Sequence, residues 1–202
     1  QYGLLSISIG VVGLLTTLSL LGLNQGILRY IPFFIGKKDN NGITISIREA
    51  LKITTLISLP LSIILFIFSD YISIKLFNNI LLSPILKISS FSIFFGAISM
   101  VLYDTILAFQ KVKYQVLLKN LLGNIIKIIL TFILVYTFSF GVIGAAYASL
   151  IAIIFSAILA FYIINKHIFN FVTKKIFDKK NIRKEILFYS IPLMLSGVLI
   201  SI

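Results

Sequence analysis

Asn120-Leu121-Leu122-Gly123-Asn124-Ile125-Ile126-Lys127-Ile128-Ile129-Leu130-Thr131-Phe132 continues through Ser139-Phe140-Gly141 to Phe161-Tyr162-Ile163-Ile164-Asn165 with one charge, Lys127. A bilayer crossing needs about 20 mostly apolar residues. This run is about twice that long, so it must cross, turn and cross back. Ser139-Phe140-Gly141 is the natural turn, which gives spans near 119–138 and 142–164.

Outward from this hairpin, three more runs qualify. Residues 2–23 carry no charge; 51–69 are uncharged apart from Lys52, which can snorkel, and contain Pro60; 84–110 are interrupted only by Lys87 and Asp104 near the ends. A last run, 186–202, contains Pro192 and reads as a truncated span. The 202 residues are 59% hydrophobic and 12% charged, with mean hydropathy +1.09. Ordinary soluble domains are about 45–50% apolar and about 25% charged. A compact soluble fold of this size cannot bury so much apolar surface. A soluble enzyme, a disordered chain and a nucleic-acid-binding module are thereby excluded. The fold class is all-α, a polytopic transmembrane helix bundle.

The chain carries 18 Lys+Arg against 6 Asp+Glu. Successive connections hold five, two, three, no and seven basic residues, and Lys127 completes the 18. Fifteen of them fall on one side of the membrane and two on the other. The positive-inside rule makes the first side cytoplasmic, so the net charge of +12 is mainly orientation. The most basic segment, 165–185, reads as a cytoplasmic linker, and 1–164 as one bundle. The turn Gly36-Lys37-Lys38-Asp39-Asn40-Asn41-Gly42 is flanked by mixed apolar and basic residues, as in an interfacial helix. Neither Gln1 nor Ile202 looks like a natural terminus, so the chain reads as a piece of a longer protein.

There is no cysteine and one histidine, His167, in a loop. No metal site or cofactor is implied, and no P-loop, HExxH, GxSxG or Asp-rich cluster is present.

Polar residues within spans carry the functional reading. Asn120, Asn124, Lys127 and Thr131 fall on one helical face. A buried ammonium costs at least about 2.5 kcal/mol on insertion scales. Lys127 therefore either snorkels to the headgroups or faces a polar cavity, and the neighbouring asparagines favour the cavity. Asp104 could pair with Lys127, bind a proton or cation, or serve as an interface carboxylate. Asn24, Gln25 and Arg29 follow the first span at the same membrane face, where Arg29 is an interface anchor or a phosphate contact. Ser89, Ser92, Gly96, Ser99 and Tyr103 share a face of the third span. Ser6, Gly10, Gly13 and Thr17 on the first span, and Gly141, Ala145, Ala148, Ala152 and Ser156 on the fifth, read as packing seams that could also slide. Pro60 and Pro192 are candidate helix breaks for gating.

Specific stretches resemble a family. Tyr2-Gly3-Leu4 and Leu20-Leu21-Gly22-Leu23-Asn24-Gln25-Gly26-Ile27-Leu28-Arg29-Tyr30-Ile31-Pro32, then Gly36-Lys37-Lys38-Asp39, are similar to polysaccharide biosynthesis proteins of the oligosaccharide flippase type. Gly141-Val142-Ile143-Gly144-Ala145-Ala146-Tyr147-Ala148 and Tyr189-Ser190-Ile191-Pro192-Leu193-Met194-Leu195-Ser196-Gly197 agree. Drug/sodium antiporters and lipid II flippases share that superfamily, the multidrug/oligosaccharidyl-lipid/polysaccharide (MOP) exporters. The resemblance implies two six-helix bundles facing a central cavity. This chain would begin at the second helix and end inside the seventh.

The implied activity is movement of a polyprenyl-(pyro)phosphate-linked oligosaccharide across the cytoplasmic membrane by alternating access. Lys127 would attract the phosphate, helped by Arg29, with Asn120 and Asn124 as glycan donors. Implied partners are this lipid-linked glycan, the bilayer and glycan polymerase and glycosyltransferase machinery, with no nucleic acid. The competing expectations are an ion-coupled multidrug antiporter, which would use Asp104, and a non-transporting membrane scaffold. An enzyme is disfavoured by the missing acidic motifs.

Overall fold

The computed structural model describes residues 2–172. The expected span 186–202 with Pro192, and the linker beyond Val172, lie outside the described residues. Six helices and no strand occur among those described. They are α1 (Tyr2–Leu20), α2 (Leu23–Gly36), α3 (Asn40–Leu76), α4 (Leu82–Ala108), α5 (Val112–Thr137) and α6 (Gly141–Ile168). All but α2 are long and apolar enough to cross a membrane, so the protein is a multi-pass membrane bundle. α4 is central: it packs against α1, α2, α3 and α6, and half of its most apolar stretch is buried, against 6% for α5.

The spans differ from the hydropathy reading at their basic ends. α3 begins at Asn40 rather than near 51, because helix and hydrocarbon need not start together. The Asp39 carboxylate caps the helix by accepting from the Asn41 and Gly42 N–H groups at 3.1 and 2.9 Å. At 37 residues α3 is about 55 Å long, well beyond the roughly 30 Å hydrocarbon core. Its first turns, carrying Arg48, Glu49 and Lys52, therefore project from the basic face. α5 likewise starts at Val112, and α6 runs on to Ile168, inside the stretch expected to be linker.

Tight turns join the elements. Leu21 and Gly22 turn α1 into α2 at φ 47° and 70°, and Ser139 and Gly141 close the α5–α6 hairpin at φ 55° and 54°. Glycine adopts this left-handed region without a Cβ clash. α2 buries Leu23, Gly26, Ile27, Ile31 and Phe34 on one face, the helical spacing of an interfacial amphipathic helix. Gly42 lets α3 meet α2, since a Cβ there would lie 2.5 Å from the Phe34 ring.

Hydroxyls tie the spans, as lipid offers no hydrophobic contrast. Ser62 on α3 donates to the Ser90 carbonyl of α4 at 2.8 Å, and Ser8 of α1 meets Ser89 of α4 at 2.8 Å. At the opposite face Lys87 pairs with Asp70 at 2.8 Å, and Ser83 donates to the same carboxylate. Pro60 lies on an exposed face of α3, and the helix runs through it unbroken.

Beyond α6 the chain is strapped to α3. Arg48 donates to the Phe171 and Val172 carbonyls at 2.9 and 2.7 Å. Phe171 is buried, and Phe169 stacks on Phe109.

Candidate functional site

A cavity of about 430 Å³ lies between α1, α4, α5 and α6, in the half of the bundle nearer the basic face. Gly13, Thr16 and Thr17 line it from α1; Ser92, Gly96, Ser99 and Tyr103 from α4; Lys119, Gly123, Asn124 and Lys127 from α5; and Ser149, Ala152 and Ser156 from α6. The opening exists because glycines stand where side chains would fill it. A Cβ at Gly13 would meet nothing within 4 Å. Gly10 is equally unpacked, so these two first-span glycines face open space, not a helix seam. On α6, by contrast, Ala148, Ala152 and Ser156 are buried.

Four of the wall hydroxyls donate inward to their own helices. Thr16 donates to the Val12 carbonyl at 2.7 Å, Thr17 to Gly13 at 3.0 Å, Ser99 to Gly96 at 2.8 Å and Ser149 to Ala146 at 2.8 Å. Each hydroxyl has one hydrogen and two lone pairs, so these walls present acceptors. The donors with positive charge are the Lys119 and Lys127 ammoniums. No Asp or Glu lines the cavity among the described residues.

Lys119 reaches the wall because α5 is not a regular helix. Leu117–Leu122 form a π turn, which absorbs an extra residue. In a regular helix Lys119 and Lys127, eight residues apart, would differ by about 80°. The extra residue takes out most of that offset and brings both onto the face with Asn124. It also turns Asn120 away: Asn120 does not line the cavity, and its carbonyl accepts from the Asn124 amide at 2.7 Å.

The other expected site residues lie outside the cavity wall. Asp104 does not line the cavity. It accepts a hydrogen bond from Asn24, and the ammonium in its field is that of Lys119, not Lys127. Arg29 is exposed, with its guanidinium 6.0 Å from the Tyr30 ring centroid. Neither Arg29 nor Gln25 lines the cavity, and nor does Pro60. Counting at 3.6 residues per turn misses Lys119, and no sequence signal marks the π turn beyond Gly123 at its end. Thr16 and Ser149 were missed too, as ordinary small polar residues of packed helices.

Five spans, four of them bordering one polar, doubly cationic cleft, form one lobe of a transporter-type fold. Solved structures share it. The inward-facing conformation of a multidrug resistance MATE family transporter of the MOP superfamily superimposes with TM-score 0.79 at 20% identity, over 96% of this chain and 46% of that one. An outward-facing conformation of such a transporter gives 0.73 at 20% identity, over 95% and 45%. A MOP superfamily transporter from Pyrococcus furiosus, described as having a binding pocket of reverse polarity that suggests a different function, gives 0.68 at 22% identity, over 94% and 45%. The chain thus spans less than half the length of these structures. No curated protein matches the sequence. The chain belongs to the polysaccharide biosynthesis protein family, whose model matches residues 1–202.

Proposed function

We propose that this chain is the first lobe of an exporter that moves a phosphate-linked, lipid-anchored oligosaccharide across the cytoplasmic membrane by alternating access. One observation carries the reading: Lys119 and Lys127 share a cavity wall that no carboxylate lines among the described residues. Two ammoniums on one wall of a cleft attract a phosphate or pyrophosphate. Inward-donating hydroxyls offer their lone pairs to sugar hydroxyls, and Asn124 can donate as well. The family supports a polysaccharide precursor as cargo. Glycosyltransferases would supply it, and a glycan polymerase would use it on the far side. Residues outside the cavity play indirect parts: Asn24 on α2 interacts with Asp104 on α4, and Gln25 and Arg29 follow on α2.

An ion-coupled drug antiporter calls instead for a carboxylate facing the cavity, and Asp104 is turned to Asn24. The test uses the full-length protein in cells lacking their own exporter. Lys119→Ala/Lys127→Ala at normal abundance should abolish surface glycan and leave drug resistance unchanged. Normal glycan with altered drug resistance would transfer the protein to the antiporter class.

A further inference from the structure

We propose that Ser156 of α6, backed by Tyr103 of α4, is a positioning residue that holds the α5 π turn and so selects Lys119 rather than Asn120 for the cavity wall. This deepens the reading of the cavity as an anion site and rests on it for its transport consequence only.

The Leu118 carbonyl accepts two hydrogen bonds. One comes from the Gly123 N–H, five residues on, where a regular helix would use the N–H of Leu122. The other comes from Ser156 Oγ at 3.2 Å, across the helix interface. Ser156 has one hydroxyl hydrogen, and Leu118 takes it. Tyr103 must therefore be the donor in its own bond to Ser156 Oγ. Leu118, Ser156 and Tyr103 are at most 7% exposed. α5 comes close at a glycine: a Cβ at Gly123 would stand 3.4 Å from the Leu118 oxygen and 4.0 Å from Ser156 Oγ.

π turns have poor intrinsic geometry and occur as isolated bulges. Here the second bond to Leu118 supplies an external reason for one. Without it, α5 gains by closing into a regular helix. The stretch before Gly123 then rotates by about 100°, Lys119 leaves the cavity wall and Asn120 replaces it. The wall changes from two cations to one with no change of composition.

The experiment uses the full-length protein in membranes. Residues 1–202 contain no cysteine, and any elsewhere are replaced. Lys119→Cys and Asn120→Cys are labelled separately with an anionic methanethiosulfonate. Lys119→Cys should react faster. Adding Ser156→Ala should shift the rate ratio toward position 120 by about tenfold, the weight of one net hydrogen bond. An unchanged ratio overturns the proposal. If Ser156→Ala does not accumulate, Tyr103→Phe removes only the backing hydroxyl and should shift the ratio in the same direction, and no shift there refutes it equally.

Export gives a second readout that general loss of packing cannot mimic. Ser156→Ala should lower surface glycan, and Asn120→Lys in that background should restore it. Labelling needs no substrate. A shifted ratio with unchanged export would therefore sustain the positioning role and sink the glycan reading, whereas an unshifted ratio with export lost in Lys119→Ala/Lys127→Ala would do the reverse.

Discussion

Replacing Lys127 with methionine keeps an unbranched stem and deletes the ammonium. A cavity of about 430 Å³ has the volume of a sphere about 9 Å across, so an anion at its centre lies about 5 Å from the wall. At that distance a unit charge pair is worth about 1 kcal/mol in bulk water and about 3 kcal/mol at an effective dielectric of about 20. The cleft is open and lies inside a bundle, so the loss should fall between these limits, roughly fivefold to 150-fold in affinity for the phosphate group. Lys119→Met should cost a similar amount and the double substitution more than either. The assay is the initial rate of glycan appearance on the outer surface, at matched protein abundance and graded precursor supply. Low precursor should expose the defect most, because weaker capture is partly overcome by mass action. Unimpaired export by the double variant at every precursor level would remove the electrostatic basis of the site.

Further outcomes follow from the packing. Gly42→Ala should lower the melting temperature in detergent by the equivalent of about 1–3 kcal/mol, since its methyl overlaps the Phe34 ring, and Phe34→Leu in the same chain should recover part of the loss. Ser62→Ala should cost about 0.6 kcal/mol, the average for a hydrogen bond between membrane helices, read from the same melts. Arg48→Ala should speed hydrogen exchange at the Asn170–Val172 amides while leaving exchange in the middle of α4 unchanged, because its bonds to the Phe171 and Val172 carbonyls hold the strap. Lys87→Ala should leave thermal stability and export unaltered, as its pair with Asp70 is solvent-exposed and surface pairs contribute little.

The architecture was legible because long uncharged runs have few physical outcomes. Between Asn120 and Asn165 only a hairpin disposes of so many apolar residues. Helix ends were less legible where charge and helicity part company. Arg48, Glu49 and Lys52 exclude their segment from hydrocarbon but not from a helix that Asp39 caps further back. The cavity was half legible. Periodicity found Asn124 and Lys127, and it put Ser92, Gly96, Ser99 and Tyr103 on one face. It chose Asn120 over Lys119 because it assumes one rotation per residue throughout, and the π turn at Leu117–Leu122 breaks that assumption. The bond that braces the turn comes from a hydroxyl 38 residues further along, invisible to any local window. Asn24 and Asp104 were read as neighbours of one membrane face, and their mutual bond depends on the Leu21–Gly22 turn.

Two of the bonds by which Arg48 grips the strap are made to main-chain oxygens. Such a contact does not read side chains, so exchanging Val172 for almost any residue leaves the guanidinium its two acceptors. Inserting one residue between Ile168 and Phe171 is a different matter, because it displaces the peptide groups themselves. The strap should therefore tolerate drift in identity at its outer position and be strict about its length.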